Sequence, residues 1–342
     1  MDDYTSEVCK VDEEWNEELM ECYPGERSGW YWYGPKRFLV PSPFLLYAEK
    51  YFNFQTRPDD VWLVTFPRSG TTLTQEILWL LTHNLDFETA KELNVWERTP
   101  FYELDMLFHP ETKQKFLDEN EGNIHYQNMI NRLSEHAYLT LETMDSPRVI
   151  KTHFPISMLP YDVPETKPKI VYVARNPIDV ALSYYHLLRL WRTSDLSTDF
   201  KTFISQFERG LVMWGPFFEH IKEGWDMRGE DRFFFMFYED LTKDMKGTLR
   251  KLAEFLEVDV SDEGIEELAD HVNIKNFKNN KSVNFEEFRD VGVLNKTAQE
   301  GFIRQGKSRG DGKEYTEEIL EHFQKWYQEN CEKYDIQFPS KE

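Results

Sequence analysis

The stretch Val61-Trp62-Leu63-Val64-Thr65-Phe66-Pro67-Arg68-Ser69-Gly70-Thr71-Thr72 limits the possible folds of this chain more than any other. Val61 to Thr65 is mostly apolar and reads as a buried strand. Leu73 to Leu81 then repeats apolar residues at helical spacing. Between them lies a tight basic turn of Arg, Ser, Gly and two Thr. A strand entering a helix through such a turn brings the free N–H groups of the helix start together, the geometry of an anion site. A phosphate-like group is expected there. Thr72 and Gln75 have the spacing of a capping box.

The turn is not the loop of nucleotide triphosphatases, which needs Gly, four residues, then Gly-Lys-Ser/Thr. Gly70 is followed by Thr71, and Thr65 stands where the first Gly would be. Taken alone, the segment is equally an ordinary strand-to-helix turn with a surface Arg.

At 342 residues the chain suits one large α/β domain or two smaller ones. A net charge of −22 argues against general binding of nucleic acid or anionic membrane, which needs a basic face, and leaves room for one basic pocket. Cys9, Cys22 and Cys331 are too sparse for a disulfide framework and imply reduced thiols in a cytosolic, cytoplasmic setting. Their spacing offers no metal site. No apolar run approaches about 18 residues, so no membrane span is expected, and the acidic start lacks the pattern of a signal peptide. Residues 1–28 carry Asp12, Glu13, Glu14, Glu17, Glu18 and Glu21 and read as a mobile or loosely docked acidic arm, with 29–342 as a single domain.

Three more strands follow. Arg148 to His153 is short and stopped by Pro155; alternation puts Lys151 and His153 on one face. A cation beside a histidine suits proton removal next to an anionic reactant, although an exposed strand-end histidine has the same pattern. Lys169 to Ala174 leads to Arg175-Asn176-Pro177, where Asn176 can cap a helix and Pro177 suits its first turn. Ser183, about two turns on, lies near the azimuth of Asn176, so Arg175 and Ser183 can grip one anion; a surface ion pair and a packing serine are the plainer alternative. Phe233 to Tyr238 ends in Glu239-Asp240. Arg68, His153 and Arg175 each follow a strand's carboxyl end, where open α/β sheets bind ligands. Gly301 to Gly310 reads as a flexible basic loop able to close over an anion. Tyr315 to Tyr334 reads as an amphipathic helix with Ile319, Leu320, Phe323, Trp326 and Tyr327 inward. The fold class is α/β, a central parallel sheet flanked by helices on both faces.

Together these motifs resemble the cytosolic sulfotransferases over about Pro58 to Gly306. The resemblance implies their P-loop-nucleotide-kinase-like fold and transfer of a sulfuryl group from 3′-phosphoadenosine 5′-phosphosulfate (PAPS), by in-line displacement without a metal. Thr65 to Thr72 resembles the family's 5′-phosphosulfate loop, which implies that Arg68, Ser69, Gly70, Thr71, Thr72 and Leu73 bind the donor. Lys151-Thr152-His153-Phe154-Pro155 resembles its Lys-Thr-His-Leu-Pro segment, implying His153 as general base and Lys151 and Arg68 as catalytic cations. Arg175 to Ser183 resembles its 3′-phosphate segment. Tyr238, the segment Val272 to Phe277, and Phe302, Ile303, Arg304, Gln305 and Gly306 stand at further donor-binding positions. Glu97 to Phe101 resembles an acceptor-side segment, implying that Phe101 and Phe154 meet a small hydrophobic acceptor: a phenol, a steroid-like or a retinoid-like alcohol.

The departures are specific. Arg68 replaces the family's loop Lys, an exchange shared with some arthropod-type members including the retinol-dehydrating type. Leu73 and Ile274 replace its adenine-stacking Trp and Phe. Gly310-Asp311-Gly312 lacks the family's Trp, and Thr316-Glu317 breaks its dimer motif, so a monomer or a dimer of another kind is expected. Three alternatives stay open: a retinol-dehydratase-like sulfation and elimination enzyme, a non-catalytic binder of PAPS or its desulfated product, and an ATP-using kinase.

Overall fold

Alternation within Val61–Thr65 sets the layers of the molecule. Val61 and Leu63 pack into one apolar core with Val149, Val171 and Val173, while Trp62 and Val64 pack into another with Ile150 and Tyr172. A strand buried on both faces needs a helical layer on each side. The computed structural model describes residues 7–298, 301–303 and 313–339. Near its start, β1 (Val8–Lys10), β2 (Trp30–Tyr33) and β3 (Phe38–Pro41) form an antiparallel sheet. The central sheet holds β4 (Val61–Thr65), β5 (Val149–Thr152), β6 (Lys169–Ala174) and β7 (Phe233–Phe237), in the order β5-β4-β6-β7, all parallel. Because β4 has β5 on one side and β6 on the other, the chain's direction across the sheet reverses beside β4. Ligands bind outside the carboxyl ends of strands at such a point.

The expected α/β class and central parallel sheet are found. The acidic N-terminal arm reads differently in three dimensions. From Val8 the chain pairs with β2, and the helix Glu13–Cys22 buries Leu19 and Cys22. Ser197 donates to the Cys22 carbonyl, and Arg209 pairs with Glu18. The carboxylates occupy the outer face, whereas Val11, Leu19 and Tyr23 are almost wholly buried. Composition registered only the solvated side. The last helix, Glu317–Tyr334, buries Phe323 fully and packs Ile319, Leu320, Trp326 and Tyr327 on the same core. No helix among the described residues is long and apolar enough to cross a membrane.

Two buried ion pairs fasten the frame. Arg148 makes a forked contact with Asp60, Nε to Oδ1 at 2.7 Å and Nη2 to Oδ2 at 2.6 Å. Arg98 reaches Glu76 at 2.7 Å, and the other oxygen of Glu76 lies 2.7 Å from His271 Nε2. Glu76 thus ties the segment before Phe101 and the segment before Val272 to one helix.

Candidate active site

The turn after β4 is built around Gly70. It caps the helix Thr71–Thr82 with φ +98°, backbone that only glycine enters at no steric cost. A Cβ there would also stand 2.4 Å from Tyr238 Cδ2. Gly70 has no side chain to cap the helix, so the donors of the first turn stay open toward the cavity that Gly70, Thr71, Thr72 and Leu73 line. The capping box expected from Thr72 and Gln75 does not form. The helix begins at Thr71, and Gln75 Nε2 donates instead to Thr99, to Oγ1 at 2.6 Å and to the carbonyl at 3.2 Å. Ser69 is buried, and its hydroxyl has no partner among the described residues.

The cations converge on this turn. Arg68 itself lies at φ +69°, a costly conformation for a residue with a side chain. Its Nε donates to Ser183 Oγ at 2.8 Å and its Nη2 to the Phe302 carbonyl at 3.2 Å. Arg175 Nη1 donates to the Arg68 carbonyl at 3.0 Å, and its guanidinium lies 4.5 Å from the centre of the Tyr238 ring. Asn176 caps the helix Pro177–Leu190 as expected, its side chain accepting from the Ile178 N–H. Ser183 therefore enters the site through Arg68.

These residues border a cavity of about 660 Å³, within the usual range for small-molecule sites. Arg68, Lys151, His153, Arg175 and Tyr238 line it from the strand ends, with Phe101 beside them. Val272, Ile274, Phe277, Phe302 and Ile303 close one side. Leu107, Tyr184, Leu187, Leu188, Met213 and Trp214 make an apolar chamber on the other. Phe154 is not part of the lining: it is fully buried against Phe44, Tyr51 and Tyr102. Its chain position beside His153 turns it to the opposite face, so the acceptor role expected for it is corrected. Arg304, Gln305 and Gly306 lie outside the described residues.

The His153 imidazole is held neutral. Its Nδ1 lies 2.8 Å from the Thr65 carbonyl oxygen, which only accepts, so Nδ1 carries the proton. Nε2 keeps its lone pair, has no partner among the described residues, and belongs to a side chain that lines the cavity. Burial holds the imidazole well below the ordinary histidine range, and the Lys151 and Arg68 charges push the same way. Phe101 and Trp214 flank the ring, each with its centroid 5.0 Å away.

Several supporting residues escaped the sequence reading. Glu103, fully buried, accepts from the His153 N–H and from Thr152 Oγ1, each at 2.7 Å. His220 Nε2 lies 2.9 Å from the His153 carbonyl and so donates to it; its Nδ1 then accepts from Tyr172 at 2.6 Å. Burial lowers the His220 pKa to about 4. Trp214 sits at φ +62°, in a loop tied to β3 by Trp214 N–H to the Leu39 carbonyl at 3.0 Å and Leu39 N–H to the Gly215 carbonyl at 2.8 Å. The one available signal was for Glu103, which lies two residues beyond Phe101, where the acceptor-side segment ends.

Residues 58–335 match the family described as the Sulfotransferase domain. Sulfotransferase 1E1 of Homo sapiens is 31% identical over 301 residues, 88% of this chain and 93% of the human protein. Luciferin sulfotransferase of Photinus pyralis is 31% identical over 290 residues, covering 83% of this chain and 74% of the relative. Among solved structures, retinol dehydratase in complex with androsterone and the inactive cofactor PAP superposes with a TM-score of 0.88 at 34% identity, over 97% of this chain and 98% of that one.

Proposed function

This chain belongs to the sulfotransferase family, and from that premise we propose that it moves a sulfuryl group from PAPS to the hydroxyl of a small hydrophobic alcohol or phenol. PAPS brings the activated sulfuryl group, together with phosphates that need cationic partners. The residues present fit such a donor: a glycine cradle under Tyr238, an uncapped helix start, and Arg68, Lys151 and Arg175 around one cavity. The relatives' ligands point the same way, since retinol dehydratase has been solved with PAP and either androsterone or retinol.

In this reading His153 Nε2 takes the proton of the acceptor hydroxyl. Arg68, Lys151 and the N–H groups of Gly70 to Thr72 stabilise the anionic oxygens nearby, as preorganised donors in a water-poor site do. Arg keeps its charge at every working pH, so the exchange at Arg68 retains the electrostatic role. Arg175, with Ser183, holds a second phosphate. Leu73, Val272, Ile274 and Phe277 offer mostly aliphatic contact to the base. The apolar chamber beyond Phe101 takes the acceptor body.

One observation carries the proposal: an imidazole with its proton fixed on Nδ1 and its free Nε2 in the cavity that the basic turn borders. The test is sulfate transfer from labelled PAPS across a panel of phenols, steroid alcohols and retinoid alcohols, with His153→Ala as control. Equal turnover by the variant, or none by the parent on any acceptor, would remove the reading. A second reading is favoured by the likeness to retinol dehydratase at 34% identity: sulfation of an allylic alcohol followed by elimination. An anhydro product appearing with free sulfate would select it.

A further inference from the structure

The segment around Phe101 is stitched edgewise onto β5. Lys151 N–H donates to the Pro100 carbonyl at 3.0 Å, and Tyr102 N–H donates to the Lys151 carbonyl at 2.8 Å. This pairing puts Phe101 beside Lys151, with the ammonium 3.7 Å from the ring centre. It also carries Glu103 beneath the end of β5, where its two oxygens meet Thr152 Oγ1 and the His153 N–H. Thr152 Oγ1 in turn accepts from the Phe154 N–H at 3.0 Å. A carboxylate with no exposed surface is expensive unless paired and hydrogen-bonded. Here the hydrogen bonds come from Thr152 and from His153, a residue of the proposed chemistry.

We propose that Glu103 is a positioning residue for the transfer reaction: its two oxygens hold the His153 N–H and the Thr152 hydroxyl, and so fix the backbone that carries the imidazole. The inference rests on the functional reading above.

Burial pulls the Lys151 ammonium below the usual lysine range; the Glu103 charge opposes that pull, and Arg68 adds to it. Burial pushes Glu103 above the usual carboxylate range, against the donors from Thr152 and His153 and the charge of Lys151. Arg68 faces Lys151 from the turn after β4, and His153 faces it from its own strand end. Tyr51 and Tyr102 face Glu103 from the other side, both kept neutral by burial. His220 stands behind His153 and is neutral near pH 7.

The test compares the parent enzyme with Glu103→Ala, Glu103→Gln and Thr152→Val, measuring kcat, the KM for PAPS and PAP binding. Glu103→Ala leaves the buried His153 N–H without its acceptor and is expected to lower kcat by about tenfold or more. The PAPS KM and PAP binding should stay within about threefold. Glu103→Gln keeps one acceptor oxygen and should recover part of the lost kcat. Thr152→Val removes one of the two donors to Glu103 and should lower kcat by less than Glu103→Ala. A full kcat in Glu103→Ala, or a loss of PAP binding as large as the loss of kcat, would overturn the proposal. If Glu103→Ala does not fold, a full kcat in both Glu103→Gln and Thr152→Val would overturn it. Should the parent itself transfer no sulfate, the functional reading fails instead.

Discussion

The two sides of the cavity are made in different ways. The strand-end side takes Arg68, Lys151, His153, Arg175 and Tyr238 from the carboxyl ends of four adjacent parallel strands. Its spacing follows from the sheet. The chamber side takes Leu107, Leu187, Met213 and Trp214 from loops and a helix face, with Trp214 held by the N-terminal sheet. In the proposed function, charge and proton transfer belong to the strand-end side, and selection among acceptors to the side assembled from distant pieces. This division suits a scaffold that keeps one chemistry while its acceptor changes.

Glu76 offers the harshest test, because it underpins Phe101 and Val272 at once. Glu76→Ala leaves Arg98 buried without its carboxylate and should destabilise the fold by about 3–5 kcal/mol, read from urea or guanidinium unfolding. A loss under about 1 kcal/mol would match an exposed ion pair instead. Next comes His153→Ala, expected to lower turnover by roughly 10²-fold or more with PAP binding retained; titration calorimetry beside single-turnover kinetics separates the two.

Trp214→Ala should act on the chamber side alone. Acceptor KM is expected to rise by about tenfold for bulky alcohols, through lost contact area, with PAPS KM unchanged. If both constants shifted together, the division between the sides would be wrong.

The remaining tests are in pH. Since the His153 pKa is held below the ordinary histidine range, kcat/KM should persist below pH 6.5 and fall only as the imidazole protonates. His220 links pH to stability with the following sign. Its pKa is about 4 when folded and 6.5 unfolded, so the unfolded chain binds the extra proton between those values. Stability is full above pH 6.5 and should decline by about 1.4 kcal/mol per pH unit as pH falls toward 4. Denaturant midpoints for the parent and His220→Gln across that window would check it.

Much of the strand-end side was legible because each residue sits next in sequence to its own structural signal. Arg68 follows a buried strand and precedes Gly70; Arg175 precedes Asn-Pro at a helix start; His153 follows Lys151 by one alternation. Where the reading relied on adjacency alone, it failed. Phe154 turned into the core, and Gln75 left its capping pattern for Thr99. The acidic arm concealed a buried face whose few apolar residues could not outweigh its charge in composition.

By itself, then, the sequence determined the parallel α/β frame, the basic turn at a helix start and the place of His153 beyond a strand end, since local alternation, turn chemistry and helix capping act over a few residues. Only the tertiary structure decided what surrounds them. Glu103 under β5, His220 behind His153 and Trp214 over it lie there because non-local packing brings distant segments together, and no short-range pattern encodes which buried partner a side chain will meet.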